Sequence, residues 1–427
     1  MYCQNIEENK QINNQISIVD KQQQFTQNQQ VQSPFLMNQK QDSQYPSSAS
    51  DYKLISGLGS GYFGIVWKVQ VLTGPHKGEF VAVKKIDMDK QTDSKMDEIR
   101  KKMLLLNVLN HPSLLPYKIA FVTGKELWVV FSIMDGGSME LLLKNMYTQG
   151  IKDINLLATI IKETLLGIEY LHQNNQIHRD IKSANILLDS EGKIALSDFG
   201  LTTKLKKNKK HNTAVGSVCW MAPEVLDDNI FYDTKADIWS LGITAYELAY
   251  GKPPHSECPT IKAVLNILNE DPPRLNKEDG WEDSFQEFIE ACLQKEPAHR
   301  KTATELLQMK FFKLAKNKEY IKEKIIKKLD PLDKRIDPQV KTMAEQELKT
   351  SKSVSQNKIQ WDFTESTENP DYMGDLDTQE GDSKINKKMQ QFNAHRNDLA
   401  SKQNGEKPNQ KKCSENYDEF QLGEEEK

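Results

Sequence analysis

From Tyr52 the chain reads as short apolar runs around glycines, YKLISGLGSGYFGIVWKVQVL, followed by the β-branched run EFVAVKKIDM. This alternation predicts a twisted antiparallel sheet. ELWVVFSIM, residues 126–134, predicts one more buried strand. Between them the period shifts to that of a helix after Met96, with Met103, Leu104 and Leu106 ahead of the breaker His111-Pro112. From Asp153 the pattern is mostly helical. Leu157, Ile160, Ile161, Thr164, Leu165, Ile168 and Leu171 recur at three and four, which predicts a strongly amphipathic helix. Further helices are predicted over residues 234–250, 260–269, 281–293 and 302–308; in the last, Thr302 and Glu305 have the spacing of a capping box.

Both ends lack this patterning. The first fifty residues are dominated by Gln and Asn, and a tract so poor in apolar groups cannot offset its ordering entropy. Beyond Leu329 the hydrophobic pattern fades, and residues 345–427 are rich in Lys, Glu, Gln, Asn, Asp and Ser. The expected organisation is a disordered arm at 1–50, a folded region at 51–312, a basic amphipathic helix at 313–329 and a mostly disordered polar tail at 330–427. The segment KNKEYIKEKIIKKL reads either as a terminal helix packed on the domain or as a surface for a membrane or partner. In the tail, IQWDF (359–363) is either a short binding motif or a stray apolar patch.

Bulk properties narrow the function classes. Of 427 residues, 37% are hydrophobic and 28% charged, yet the formal net charge is only -4. No global field points to nucleic acid or membrane, and no apolar run approaches the roughly 20 residues of a membrane helix. The start, MYCQNIEENKQINN, lacks a basic n-region and an apolar h-region, so no secretory signal is expected. Cys3, Cys219, Cys258, Cys292 and Cys413 are scattered without a CxxC, which argues against a zinc site or disulfide framework and for a reducing, cytoplasmic compartment.

Four constellations carry chemistry. In LGSGYFGIV, Gly59, Gly61 and Gly64 let the backbone approach phosphates. They lie between two strands, which fits a lid over a nucleotide better than a dinucleotide site, although a plain glycine-rich hairpin has the same pattern. Lys84 ends VAVK inside an apolar strand, where its charge needs a partner such as phosphate oxygen unless the side chain snorkels from an edge. In IHRDIKSANILL, Asp180 can orient a hydroxyl or accept its proton. Lys182 lies on the same side of an extended loop and can neutralise a transferring phosphoryl group. Asn185 offers a hard oxygen for Mg²⁺. SDFG places Asp198 after the strand 193–196, and with Asn185 it makes a two-residue metal platform.

This ordered set, Gly-rich loop, VAVK, HRDIKSAN, DFG and APE, resembles the eukaryotic protein kinase family from Tyr52 to Phe312. The resemblance implies an α+β, two-lobed fold. Its N-lobe (51–131) is an antiparallel sheet with one main helix, followed by a hinge (132–134) and a larger helical C-lobe (135–312). It implies ATP and Mg²⁺ as cofactors. Asp180 is then the catalytic base, Lys182 aids transfer, Asn185 and Asp198 bind metal, and Lys84 holds the α- and β-phosphates. The nucleotide would further meet Leu58, Gly59, Ser60, Gly61, Gly64, Val66, Ala82, the gatekeeper Phe131 and the hinge residues Ile133 and Met134. Glu224 should pair with Arg300, and Asp237 should brace the catalytic loop. Lys182 after Asp-Ile is similar to the serine/threonine branch. GSVCWMAPEVL and ADIWSLGITAYELAYGKPP resemble the Ste20-related group, closest to its oxidative-stress-responsive and SPS1-related proline-alanine-rich subgroup. Partners implied are protein substrates and an upstream activating kinase, with neither nucleic acid nor stable membrane insertion.

In that group Thr213 falls on an activation-loop phosphosite whose charge could recruit Arg179; the alternative is an ordinary loop hydroxyl. Ser217 matches the small hydroxyl residue facing substrate. The run KLKKNKK (204–210) reads as a solvated loop tip, with nucleic-acid binding as the other option. One position departs from the family pattern. Counting back from His111-Pro112, the helix residue expected to be Glu is Lys102, with Glu98 one turn earlier. Three outcomes stand open: Glu98 substitutes for the missing carboxylate, Lys102 faces solvent and ATP alone fixes Lys84, or the protein is a nucleotide-binding pseudokinase scaffold.

Overall fold

The computed structural model describes residues 45–61, 64–198, 203–204, 217–227 and 232–350. Thr213, residues 205–210, the segment 359–363 and most of the expected N-terminal arm lie outside the described residues.

The alternating runs form a five-stranded antiparallel sheet of order β1-β2-β3-β5-β4. Its strands are β1 (Tyr52–Gly61), β2 (Gly64–Val71), β3 (Phe80–Asp87), β4 (Tyr117–Thr123) and β5 (Glu126–Ser132). On one face Ile65, Trp67, Val69, Val71, Val81, Val83 and Val130 join Tyr52, Phe121 and Trp128 in a core cluster. Period two sends Val66, Ala82 and Lys84 to the opposite face, where all three are half-buried. Helix α1 (Asp93–Val108) is the main helix of this lobe, capped by Thr92, which accepts from the Lys95 N–H.

The second lobe is helical around α3 (Ile154–Gln173), which follows the shorter α2 (Met139–Asn145). The predicted stripe on α3 is buried, from Leu157 to Leu171. Short strands β6 (Gly137–Ser138), β8 (Ile186–Leu188) and β9 (Ile194–Leu196) form one small sheet; β7 (Gln176–Ile177) and β10 (Thr203–Lys204) form another. The remaining helices of the expected C-lobe are α4 (Pro223–Leu226), α5 (Lys235–Tyr250), α6 (Thr260–Asn269), α7 (Asp283–Cys292) and α8 (Ala303–Leu307). The Thr302–Glu305 capping box is formed, and Gly251 ends α5 in the left-handed conformation. This is the two-lobed α+β architecture that the resemblance implies.

The chain after residue 312 differs from expectation. The basic segment is broken into α9 (Lys318–Lys324) and a 3₁₀ turn at Ile326–Lys328. Ile321 and Ile325 are buried, while Lys322 pairs with Glu191 at 2.8 Å and Lys324 with Asp153 at 3.1 Å, so the segment packs on the domain. Nor is residue 330 the start of an unpatterned tail. It is followed by α10 (Leu332–Arg335) and α11 (Pro338–Thr350). Arg335 is buried, and its guanidinium donates to the carbonyls of Gly136 at 2.9 Å, Asp135 at 3.2 Å and Asp330 at 2.8 Å. Beyond it α11 crosses β1 on the cluster face, with Val340 and Ala344 buried. Gly57 makes this approach possible: a Cβ there would stand 3.0 Å from Val340 Cγ1 and 3.1 Å from Ala344 Cβ. A helix seated on glycine needs few large apolar residues, which is why hydrophobic periodicity did not reveal it.

Candidate active site

The stretch 177–188 holds its polar residues because a buried helix supplies their partners. Asp237, fully buried near the start of α5, accepts from the backbone N–H groups of His178 and Arg179, both at 2.8 Å, and lies 2.8 Å from His172 Nε2. Burial pushes the Asp237 carboxyl up, but the His172 hydrogen bond and charge and the neighbouring His178 hold it below the usual carboxylate range. Arg179 has the left-handed backbone, φ 70°, a conformation costly for a non-glycine residue and here fixed by its N–H bond to Asp237. His178 is fully buried with Nε2 3.0 Å from the Ser197 carbonyl. A carbonyl only accepts, so Nε2 carries the proton and Nδ1 accepts from the Asp180 N–H at 3.2 Å.

Asp180 is thereby presented to three side chains. Lys182 Nζ lies 3.1 Å from Oδ1 and 2.8 Å from Oδ2. Ser217 Oγ donates to Oδ1 at 3.2 Å and accepts from Lys182 Nζ at 2.8 Å. Asn185 Nδ2 donates to the Asp180 carbonyl at 2.7 Å and to Oδ2 at 2.9 Å. Its amide nitrogen is thus consumed, which leaves the Asn185 side-chain oxygen as the ligand-capable atom. Ile186 of β8 faces Leu196 of β9, and the Asn185 carbonyl accepts from Ser197 N–H at 2.8 Å and Ser197 Oγ at 3.0 Å. This hairpin end places Asp198 beside Asn185. Asp198 also has a left-handed backbone, φ 59°, and its carboxylate meets Lys84 Nζ at 3.6 Å across the lobes.

Above them, Val66 pairs with Lys84 and Ala82 with Phe131 in the strand register, so all four side chains share the face away from the core cluster. Leu58 is half-buried on β1, Ser60 is exposed, and Gly59 and Gly61 pair with Val66 and Gly64 at the turn between β1 and β2. Phe131 packs edge-on against Tyr117 with centroids 6.1 Å apart. Ile133 is half-buried and Met134 buried in the segment joining the lobes.

Residues 52–312 match the family model of the protein kinase domain. The chain belongs to the protein kinase family. Among curated proteins it is similar to serine/threonine-protein kinase fray2 of Dictyostelium discoideum, 41% identical over 295 residues covering 68% of this chain and 28% of that protein. It is 39% identical to germinal center kinase 3 of Caenorhabditis elegans over 307 residues, covering 67% of this chain and 51% of the relative. It is 40% identical to serine/threonine-protein kinase sid1 of Schizosaccharomyces pombe over 273 residues, covering 64% and 56%. All three relatives are named as kinases, two of them as serine/threonine-protein kinases. The chain spans between about a quarter and a little over half of their lengths.

Elsewhere in the kinase, Arg300 and Glu224 form a buried bidentate pair, Nη1 to Oε1 at 2.6 Å and Nη2 to Oε2 at 2.7 Å. Arg300 also donates to the carbonyls of Gln294, Lys235 and Lys295, so its remaining N–H groups are used. Lys102 is half-buried on α1, one turn from buried Ile99 and Leu106, so it lies on the inward side of the helix rather than in open solvent. The Glu98 side chain is outside the described atoms.

Two residues near the site were not singled out by sequence reasoning. Arg335 reads as one cation in a basic segment, and only the fold brings it to the start of the C-lobe. Glu247 on α5 accepts from Ser183 N–H at 3.1 Å, Ser183 Oγ at 2.5 Å and Trp220 Nε1 at 3.0 Å. Burial pushes the Glu247 carboxyl above the usual range, and those hydrogen bonds offset it only in part. A charge among the apolar residues of 238–249 was the available signal for Glu247.

Proposed function

We propose that this kinase transfers the γ-phosphoryl group of ATP to serine or threonine hydroxyls of proteins, in a Ste20-type signalling role. The observation that carries the reading is the arrangement of Asp180, Lys182, Ser217 and Asn185 within mutual hydrogen-bond reach, with Lys84 and Asp198 paired across the cleft. Asp180 would orient the acceptor hydroxyl and take its proton, while Lys182 Nζ sits where charge develops on the transferred group. Ser217 accepts from Lys182 and is the residue nearest the incoming acceptor. Lys84 would hold the α- and β-phosphates. Leu58, Gly59, Ser60, Gly61, Gly64, Val66, Ala82, Phe131, Ile133 and Met134 would enclose the rest of the nucleotide.

The family works with ATP and a divalent metal, and the donor set here fits Mg²⁺. Asn185 and Asp198 offer hard oxygens from the two strand ends of one hairpin. That suits an ion brought in with phosphate oxygens. Bound there, Mg²⁺ would neutralise the phosphates and hold them in line for attack. We further place an upstream input at Thr213 with Arg179 as the receiving cation, and the protein in the cytoplasm. The location is supported by the free thiols Cys219, Cys258 and Cys292. No helix among the described residues is long and apolar enough to cross a membrane.

The test is transfer from labelled Mg·ATP to a generic protein acceptor, with Asp180→Ala alongside. Transfer by the wild type that drops at least about a hundredfold in the variant supports the reading. Equal signal from both overturns it.

A further inference from the structure

We propose that Cys219 and Cys258 are an oxidant-responsive thiol pair, which hydrogen peroxide closes into a disulfide that lowers transfer to the protein acceptor. The effect on transfer rests on the kinase reading above; the bond itself does not.

Three free cysteines fall among the described residues, and they differ. Cys292 is fully buried on α7, and burial pushes its thiol up, so it is closed to solvent oxidants. Cys219 and Cys258 are both half-buried. The fold brings their segments together from before and after α5. Cys219 lies in the 3₁₀ turn Val218–Trp220, which packs on α6. Cys258 stands directly before Pro259, the N-cap residue of that helix. Cys219, His255 and Asn266 line one small cavity, and the Cys258 N–H donates to the His255 carbonyl at 3.0 Å. His255 has a left-handed backbone, φ 61°, and its Nδ1 lies 3.2 Å from the Asn266 side-chain amide. The turn that carries Cys258 is thereby held against α6, on the side where Cys219 sits.

The electrostatics agree with this placement. Burial first, and then Cys258, push the Cys219 thiol up, so the two sulfurs stand near enough to feel each other's charge. A thiol kept protonated reacts slowly. Both therefore stay reduced at resting oxidant levels and respond when peroxide rises, the transient use of a disulfide that a reducing compartment permits.

The reaction balances with one peroxide. One cysteine, as its thiolate, attacks a peroxide oxygen; the O–O bond breaks, hydroxide leaves and a sulfenic acid remains. The second thiolate attacks that sulfur, the S–O bond breaks and hydroxide leaves again. The two thiol protons convert both hydroxides to water. The sulfurs together lose two electrons, which the peroxide oxygens gain.

The consequence follows from Ser217, two residues before Cys219, which donates to Asp180 at 3.2 Å and accepts from Lys182 at 2.8 Å. A bond from Cys219 to Cys258 draws this stretch toward α6 and loosens Ser217 from both partners. The nucleotide residues of the N-lobe are not touched.

The experiment treats the full chain with hydrogen peroxide, caps the remaining thiols with iodoacetamide and maps disulfides by mass spectrometry without reduction. Kinetics with Mg·ATP and myelin basic protein run alongside, before peroxide, after it and after dithiothreitol. A peptide pair joining Cys219 to Cys258 is expected. Acceptor kcat/KM should fall at least about fivefold and return with dithiothreitol, while KM for ATP stays within about twofold. Cys258→Ser should match wild type when reduced and ignore peroxide, with Cys258→Ala as the second variant should the first fail to fold. Absence of the pair, or either thiol linked instead to Cys3, Cys292 or Cys413, overturns the proposal. So does a mapped bond with unchanged rates, or a peroxide loss that persists in the Cys258 variants. A reduced wild type that transfers no phosphate overturns the kinase reading and the regulatory half of this one, while the mapped bond stands or falls by itself.

Discussion

Lys85 and Glu347 meet at 2.5 Å although 262 positions separate them in the chain. Lys85 is only 7% exposed and lies near the rings of Trp67 and Trp128, with Glu126 at 3.1 Å as a second carboxylate. It follows Lys84 directly, so the two ammonium groups leave opposite faces of β3, one toward α11 and one toward Asp198.

The contact predicts graded losses. Glu347→Ala leaves Glu126 in place and removes a partner that is one-third exposed, so the expected cost is about 1 kcal/mol. Gly57→Val forces a side chain into Val340 and should cost more, about 2 kcal/mol, by lifting α11 from β1. Thermal unfolding of the full chain measures both. A Gly57→Val protein as stable as wild type would mean that α11 does not dock there.

Arg300→Lys should behave as a severe change. Lysine cannot reproduce the bidentate contact with Glu224 or reach three carbonyls at once, and it leaves a buried carboxylate poorly paired. A loss of about 3 kcal/mol is expected in urea unfolding. A loss below about 1 kcal/mol would show the pair to be replaceable.

Acid should act on Asp237 late. Its folded carboxyl is held below the usual range, so its contribution to stability is complete above the ordinary carboxylate value. That contribution declines as pH falls from there through the depressed folded value. Asp237→Asn should remove this part of the acid limb and lower activity at neutral pH, because His178, Arg179 and His172 then share a weaker acceptor. Unfolding midpoints measured across the acid range for both proteins check it. Parallel curves would refute the assignment.

Lys102→Glu should raise kcat/KM several-fold. The position lies on the inward side of α1, and a carboxylate there would add negative charge on the side of α1 that faces the domain, beside an ammonium that already meets Asp198 at 3.6 Å. Peptide kinetics at varied ATP is the measurement. An unchanged rate would show that Glu98 or the nucleotide already orients Lys84.

Most of the site was legible because its elements announce themselves locally. The stripe from Leu157 to Leu171 has a single reading, and the spacing Asp180, Lys182, Asn185 is set within one short loop. The Thr302–Glu305 box is likewise a local signal. What escaped was long-range. Arg335 earns its place by donating to carbonyls two hundred positions earlier, and no periodicity encodes that. Helix α11 docks with Val340, Ala344 and Leu348 among its contacts beside the Glu347–Lys85 ion pair, apolar positions too sparse to stand out in a polar segment. Glu247 was visible as a misplaced charge, but its two loops become neighbours only in the folded lobe.

The seat of α11 on β1 also bears on synthesis. The strands of the first lobe leave the ribosome about two hundred residues before Ala344 and Glu347 do, a delay of roughly 10–40 s at ordinary elongation rates. For that interval a tryptophan-lined sheet face waits for a lid not yet translated, and a nascent chain in that state is a natural client for chaperones.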